Sequence, residues 1–327
     1  MRLGRRTCLQ SAFTAVVVTI LCVSLPDRSG WSQSASAVKI VVPYPPGGGA
    51  DVLARIMADA IGTLHGPPMV VFNRPGAGTM IGTEDVVRAK PDGNTLLISN
   101  NAIAIFPHMR KLDYDPLSSL EPVCGIATTP TVMIVSGASP YRSVNELIDA
   151  ARAKPGVLTF GATPGAKSNI DFEMIRHPSG VQMTLVPFSG TPPIVNAVLG
   201  GQVDAAFVDY PAAAGLLQAG KLRALAAGSR RRVELLPAVP TVNEAGFGDF
   251  DMEVWYGLLA PAHTAQPTLS GLADWFNKAV NLPETRSRLA IQGMSPLGVC
   301  GAPSALHLRK LYEDYGRFIA ATDIKAE

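Results

Sequence analysis

Residues 38–62 read VKIVVPYPPGGGADVLARIMADAIG: a β-branched run, a glycine turn and an amphipathic stretch. Residues 38–42 have the composition of a buried strand, and residues 51–62 repeat apolar side chains at helical spacing. The three glycines let backbone N–H groups approach a ligand closely, and the following helix adds partial positive charge at its N-terminus. The stretch therefore predicts a strand–loop–helix unit whose loop suits an anion such as a carboxylate. Asp51 is interpreted as the helix N-cap, and a tight turn without a ligand is the alternative reading of the glycines.

The same alternation of strand and helix patterns continues along the chain. Residues 69–72 and 95–99 are predicted strands, and a helix is predicted between them over residues 80–89. Ser143 followed by Glu146 is typical of a capping box at the start of another helix. Such alternation predicts an α/β protein with parallel sheets covered on both faces.

Two extended apolar segments, residues 123–136 and 253–261, are interpreted as crossings between two lobes. The second lobe would then be inserted into the first, with lobe 1 over residues 38–137 and 256–327 and lobe 2 over residues 138–255. This arrangement places a cleft between two hinged halves, which suits ligand capture.

The N-terminal residues 1–37 have the pattern of a secretory signal peptide. A basic start precedes an apolar stretch over residues 12–25, and Ala35-Ser36-Ala37 supplies the small residues of a cleavage site. The sequence therefore predicts a soluble periplasmic protein that begins at Val38 after cleavage. Arg5-Arg6 leaves the twin-arginine export route open beside the general one.

Composition excludes several classes of protein. The 327 residues carry a net charge of +2, with 17% charged and 6% aromatic residues. These values exclude a disordered chain and argue against binding to nucleic acid by charge or by base stacking.

Two cysteines, Cys124 and Cys300, follow the predicted cleavage site. An oxidising compartment permits a disulfide between them, but sequence alone cannot bring two Cα atoms to bridging distance. Two separate buried thiols are the favoured reading, with the disulfide as the alternative.

Groups that could carry out catalysis are sparse in this sequence. The five histidines are scattered without metal-ligand spacing, and no serine lies in a nucleophile-elbow motif. Residues 76–82, GAGTMIG, lack the final glycine and the following acidic residue of a dinucleotide fingerprint. We therefore predict no enzyme activity, cofactor or metal, and an exported dinucleotide-dependent enzyme is the weaker alternative. Ala77, Gly78 and Thr79 are predicted instead to form a second wall of the cleft.

The second lobe repeats the strand–loop–helix logic at residues 163–169, TPGAKSN, and places a further loop at residues 187–192. Together the lobes would offer opposed backbone donors and two aromatic rings, Tyr44 and Phe188. Lys167 has two readings: a solvated side chain, or a partner for the distal carboxylate of a diacid.

Ten stretches carry a further pattern: residues 41–55, 73–78, 91–97, 114–116, 143–156, 199–204, 220–226, 239–241, 244–246 and 255–261. Through these stretches the sequence resembles, over nearly the whole mature chain, the Bug family, the extracytoplasmic solute-binding receptors of tripartite tricarboxylate transporters. The resemblance implies a two-lobed type II periplasmic-binding fold that closes on a small organic acid. It also implies delivery of that acid by a monomer to membrane permease subunits, or, as the alternative, presentation of the bound acid to a membrane sensor kinase.

The resemblance also implies which residues line the ligand site. In the family, glycine-rich loops of both lobes hold a carboxylate, and an aromatic–glycine loop lines the pocket. This chain departs from the family where Ala166 and Asn169 replace a serine and a histidine, where Lys167 is unusual, and where Thr79 replaces a common glycine. The predicted ligand-binding residues are Tyr44, Pro46, Gly47, Gly48, Ala77, Gly78, Thr79, Gly165, Ala166, Asn169, Phe188, Gly190 and Thr191.

Overall fold

The computed structural model describes residues 37–164, 166–248, 252–322 and 324. The predicted signal peptide, apart from its last residue, and the predicted site residue Gly165 lie outside the described residues. No helix within these described ranges is both long enough and apolar enough to cross a bilayer.

A six-stranded sheet organises the first half of the fold, with strand order β11-β4-β10-β3-β1-β2. Strand β1 pairs in parallel with both β2 and β3, as the opening strand–loop–helix unit predicts. Its residues alternate little in polarity because helices cover both faces of the sheet. The strands are β1 (Val38–Val42), β2 (Met69–Asn73), β3 (Thr95–Asn100), β4 (Leu120–Thr129), β10 (Val254–Pro261) and β11 (Ser295–Cys300).

A second, five-stranded sheet has the order β7-β6-β8-β5-β9. Strand β6 is parallel to β7 and β8, whereas β5 is antiparallel to β8 and β9. The strands are β5 (Thr131–Ser136), β6 (Thr159–Ala162), β7 (Thr184–Pro187), β8 (Ala205–Asp209) and β9 (Leu222–Ala227).

Helices cover the faces of both sheets and bury their apolar sides against them. Ser143 is confirmed as an N-cap, since its Oγ accepts a hydrogen bond from the backbone N–H of Glu146. The helices are α1 (Gly49–Thr63), α2 (Met80–Val87), α3 (Ala102–Met109), α4 (Pro116–Ser119), α5 (Val144–Ala153), α6 (Lys167–Ser179), α7 (Thr191–Leu199), α8 (Tyr210–Gln218), α9 (Gln266–Asn281), α10 (Pro283–Ile291) and α11 (Ala302–Thr322).

The chain changes sheet at Pro130, between β4 and β5, and returns to the first sheet with β10. The segment predicted as one extended crossing, residues 123–136, is therefore two strands in different sheets. A proline supplies no backbone N–H for a ladder, which suits the break between them. The lobe boundaries at 137 and 255 stay predictions, although β5 already pairs within the second sheet.

The prediction of parallel sheets is wrong for five of the eleven described strands, which have only antiparallel neighbours: β4, β5, β9, β10 and β11. Strand β10 is antiparallel to β3 and β4, and β11 is antiparallel to β4. The reason is topological, because β4 and β10 carry the chain toward and away from the second sheet in opposite directions.

The two cysteines form a disulfide, which corrects the favoured reading of two separate thiols. Cys124 and Cys300 are direct cross-strand partners on β4 and β11, with their Cα atoms 3.9 Å apart. Their pairing depends on β11, a strand absent from the sequence-based interpretation.

Candidate functional site

Between the two sheets lie two small adjoining cavities of about 20 Å³ and about 30 Å³. Tyr44, Asn100, Thr191 and Asp209 line both cavities. Spaces of this size admit one or two water molecules, so the cleft between the lobes is closed. The remaining lining residues are Gly48, Gly49, Ala50, Gly78, Thr79, Thr163, Ala166, Lys167, Ser168, Ser189, Gly190 and Pro192.

The glycine loop places the start of helix α1 against the first cavity. Gly48 is the N-cap of this helix, and no described side chain caps it. The first N–H groups of an α-helix have no intrahelical acceptor, so this end of α1 offers backbone donors and partial positive charge to the cleft.

Asp51 is not the N-cap predicted from the sequence. It lies in the first turn of α1, almost completely buried, and its Oδ2 accepts the backbone N–H of Gly47 at 2.9 Å. Its carboxylate also binds Arg55 and accepts from the Asn73 amide. The carboxylate therefore fixes the conformation of the glycine loop through Gly47, and it does not cap the first N–H groups of helix α1.

Three further helices begin at the cleft. Their N-cap residues are Ala166 for α6, Gly190 for α7 and Asp209 for α8, and none of these residues makes a cap hydrogen bond through its own side chain. A Cβ at Gly190 would lie 2.8 Å from Cδ of Pro45, so only glycine allows this close approach of the lobes. Four helix N-termini thus lie at the cavities, and their partial positive charge favours an anion. Free N–H groups come mainly from α1 and α6, because prolines in the first turns of α7 and α8 supply none and the Tyr210 N–H donates to the Pro130 carbonyl.

Hydrogen-bonded tyrosines connect the walls of the cleft. The Tyr44 hydroxyl donates to Oδ1 of Asn100 at 2.6 Å within the first lobe. The Tyr256 hydroxyl donates to Oδ2 of Asp209 at 2.7 Å and so joins β10 of the first sheet to β8 of the second. Burial raises the pKa of both tyrosine hydroxyls, and the pKa of the Asp209 carboxyl is also raised by burial, against the opposing effect of the Tyr256 hydrogen bond.

Lys167 is buried, which rules out the solvated reading of its side chain. Its Nζ lies 2.5 Å from Oδ1 of Asp171, one helical turn further along α6. Burial raises the pKa of Asp171 to about 6, although the charge of Lys167 acts in the opposite direction. Lys167 lines the larger cavity, but its ammonium group is already held by a carboxylate of its own lobe.

The structure brings seven of the predicted site residues to the two cavities: Tyr44, Gly48, Gly78, Thr79, Ala166, Gly190 and Thr191. Pro46, Gly47 and Ala77 are exposed outside the cavities, and Phe188 packs against the core of the second lobe. Asn169 lines a separate groove together with Phe172 and Arg176. Asn169 faces this groove because side chains two residues apart on a helix point in different directions, and Lys167, two residues earlier, faces the cleft.

Sequence reasoning missed Asn100 and Asp209, two of the four residues that line both cavities. Each is the last residue of a strand, β3 or β8, and a helix follows directly or after one residue. A polar residue at the carboxyl end of a buried strand is a signal that could have identified both. Within the described ranges, no group of three His, Cys, Asp or Glu side chains could hold a metal ion.

Comparison with known proteins gives consistent matches in sequence and in fold. A family model described as the tripartite tricarboxylate transporter family receptor matches residues 53–315. Protein BugT of Bordetella pertussis is 32% identical over 267 residues, which cover 80% of this chain and 82% of BugT.

Solved structures superpose over most of the chain. The periplasmic binding protein BugD is 28% identical with a TM-score of 0.84, covering 89% of this chain and 99% of BugD. Rpa4515 of R. palustris with adipate is 28% identical with a TM-score of 0.84, covering 90% and 99%. MatC from Rhodopseudomonas palustris with bound malate is 27% identical with a TM-score of 0.78, covering 86% and 98%. The predicted two-lobed periplasmic-binding fold is confirmed by these similarities.

Proposed function

The chain belongs to the tripartite tricarboxylate transporter receptor family, and from this premise we propose that it captures a small organic acid between its lobes. In this proposal the protein is an extracytoplasmic monomer that delivers the bound acid to the membrane permease subunits of such a transporter.

The convergence of four helix N-termini on the closed cleft is the observation that carries the proposal. Gly48 and Ala166 begin two of these helices without a cap hydrogen bond from their own side chains, so backbone N–H groups in the first turn remain for an external acceptor. Helix α7 adds the N–H of Thr191 alone from its first three residues, because Pro192 and Pro193 have none. A carboxylate provides two acceptor oxygens and the negative charge that helix N-termini stabilise. Adipate and malate in the structures of Rpa4515 and MatC are acids of this class.

Binding without chemical conversion fits the side chains at the cavities. The described lining residues include neither His nor Cys, and Lys167 is held in an ion pair with Asp171. We infer a receptor rather than an enzyme, because no described nucleophile at these cavities lies beside a partner that would activate it.

A periplasmic location is supported by two independent features. The pattern of residues 1–37 is that of a secretory signal peptide, and Cys124 forms a disulfide with Cys300. Disulfides persist in oxidising compartments such as the bacterial periplasm.

Thermal unfolding and calorimetry of the mature protein, residues 38–327, test the binding step. We expect adipate, malate, succinate or another acid of three to six carbons to raise Tm and to bind at about one molecule per chain. Gly48→Val should abolish this binding with little loss of stability, because the added methyl groups would fill the space toward Pro192, whose Cδ lies 3.8 Å from the Cβ position. Gly271→Val, where a Cβ meets open space in helix α9, is the matched control. Equal binding by both variants would contradict the assignment of the glycine loop.

Uptake of the radiolabelled acid by cells with and without this protein tests the delivery step. We expect uptake to require both this chain and the permease subunits. Uptake that is unchanged when the chain is removed would contradict the transport role.

A further inference from the structure

Three buried charged groups lie together at the larger cavity: Lys167, Asp171 and Asp209. Lys167 and Asp209 line this cavity, and Asp171 is completely buried one helical turn beyond Lys167, with Nζ of Lys167 2.5 Å from its Oδ1. The positive charge of Lys167 lowers the pKa of both carboxyls, against the larger effect of burial. One ammonium group is therefore shared by two carboxylates, and the three groups carry one negative charge when both carboxyls are ionised.

The other titratable groups described beside these three do not change their charge near neutral pH. They are the hydroxyls of Tyr44 and Tyr256, and burial raises the pKa of both, so both stay neutral. The described lining of the two cavities includes no histidine. A negative charge that enters the cleft can therefore be balanced by the helix ends, by Lys167 or by a proton on one of the carboxyls.

Asp171 is the carboxyl that is better placed to take up this proton. Oδ2 of Asp209 accepts the Tyr256 hydroxyl, and this hydrogen bond favours the ionised form of Asp209. Oδ2 of Asp171 is buried and accepts no hydrogen bond within the described ranges. The hydroxyl of Thr131 on β5 also lowers the pKa of Asp171, but it donates to the Met252 carbonyl at 3.2 Å. Burial and the charge of Asp209 raise the pKa of Asp171 to about 6.

A bound carboxylate adds a negative charge next to Lys167. The helix ends that we assign to the ligand, at Gly48 and Ala166, open on the same two cavities. A nearby negative charge favours the protonated form of a carboxyl, and the effect is strong where little water screens it. Cavities of about 20 Å³ and about 30 Å³ leave little room for water. The pKa of Asp171 therefore rises further, toward neutral pH, when the acid is bound.

We propose that capture of the acid is coupled to the uptake of one proton, which Oδ2 of Asp171 holds in the liganded cleft. The proton comes from the solvent, and no bond of the ligand forms or breaks. Lys167 keeps its own proton, so its charge then faces the ligand instead of Asp171. The inference rests on the proposed function and adds regulation of the same site by pH. Because the liganded state binds more protons than the free state, the affinity rises as the pH falls.

Calorimetric titration of the mature protein at pH 7 in two buffers, phosphate and Tris, counts the protons. The probes are malate, succinate, glutarate and adipate, whose carboxyl groups are almost fully ionised at this pH. Tris releases its proton with a much larger enthalpy than phosphate, so proton uptake makes the heats of binding differ between the buffers. If the pKa of Asp171 rises from about 6 to about 7, we expect uptake of about 0.4 proton per bound acid at pH 7 and about threefold higher affinity at pH 6.5 than at pH 8.

Asp171→Asn is neutral at every pH, so it should remove both the proton uptake and the pH dependence of the affinity. Asp149→Asn, on the exposed face of helix α5 in the same lobe, is the matched control and should keep both. The protons are counted first on the unmodified protein, so the main result does not depend on the folding of a variant.

The possible results separate the inference from the proposed function. Binding with equal heats in the two buffers and with affinity independent of pH would overturn the inference and leave the proposed function standing. Binding of none of the four acids would overturn both. Proton uptake that persists in Asp171→Asn would overturn the assignment of the proton to Asp171.

Discussion

Replacing Gly49 with alanine should weaken ligand binding by interfering with closure of the cleft. A Cβ at this position would lie 2.1 Å from the hydroxyl oxygen of Tyr256 and 3.2 Å from Oδ2 of Asp209. Tyr256 is completely buried and has little room to retreat. The methyl group would therefore push against the hydrogen bond that joins the two lobes.

The size of the effect follows from that hydrogen bond. Tyr256 donates to a carboxylate at 2.7 Å, and hydrogen bonds to charged groups contribute about 1.5 to 3 kcal/mol. If Gly49→Ala removes this contribution from the closed state, ligand affinity should fall by about tenfold to about a hundredfold. The helix itself should tolerate alanine, the residue with the highest helix propensity.

Calorimetric affinity and small-angle scattering measure the two parts of this effect. Gly62→Ala, on the same helix and facing open space, is the matched control and should leave binding unchanged. Its stability should stay equal or rise by about 1 kcal/mol, because alanine restricts the unfolded chain. We expect scattering from the Gly49→Ala protein to report a larger radius of gyration with ligand present than scattering from the control. Equal affinities for the two variants would refute the role of the Tyr256–Asp209 contact in closure.

Further predictions concern the disulfide and the buried ion pair. Reduction of the Cys124–Cys300 bond, which spans 176 residues of sequence, should lower the free energy of unfolding by up to about 5 kcal/mol. An unchanged midpoint of urea unfolding under reducing conditions would count against a stabilising role for this disulfide. Asp171→Asn should lower the free energy of unfolding by about 3 kcal/mol, because Lys167 stays buried without its carboxylate. Lys167→Met should lower it by less, because Asp171 can take up a proton. Denaturation curves that give the reverse order of stability would contradict this interpretation. Burial raises the pKa of Asp171 to about 6, so between pH 4 and 6 the folded state binds more protons than the unfolded state. The stability of the unmodified protein relative to Asp171→Asn should therefore fall as pH rises through this range, and a flat difference would be evidence against it.

Local patterns in the sequence predict the elements that depend on neighbouring residues. The β-branched run over Val38–Val42, the glycine turn and the apolar spacing that follows are sufficient for β1 and helix α1. Ser143 and Glu146 likewise determine the start of helix α5 within four residues. These features need no information from distant parts of the chain.

Features that depend on contacts between residues far apart in the sequence are harder to predict from the sequence. The disulfide requires strand β11, whose alternating burial over a short proline- and glycine-containing segment gives a weak strand pattern. The contact of Asp209 with Tyr256 joins residues 47 positions apart on different sheets. The placement of Asn169 is hard to predict for a related reason. The direction of its side chain depends on the residue at which helix α6 begins.

A crystal structure of the mature protein with its tightest-binding acid tests the central claim most directly. We predict that the ligand occupies the cleft between the two sheets, with its carboxylate accepting hydrogen bonds from backbone N–H groups in the first turn of helix α1, at Gly49 and Ala50. An acid bound outside the cleft, or one whose carboxylate points away from all four helix N-termini, would contradict the account.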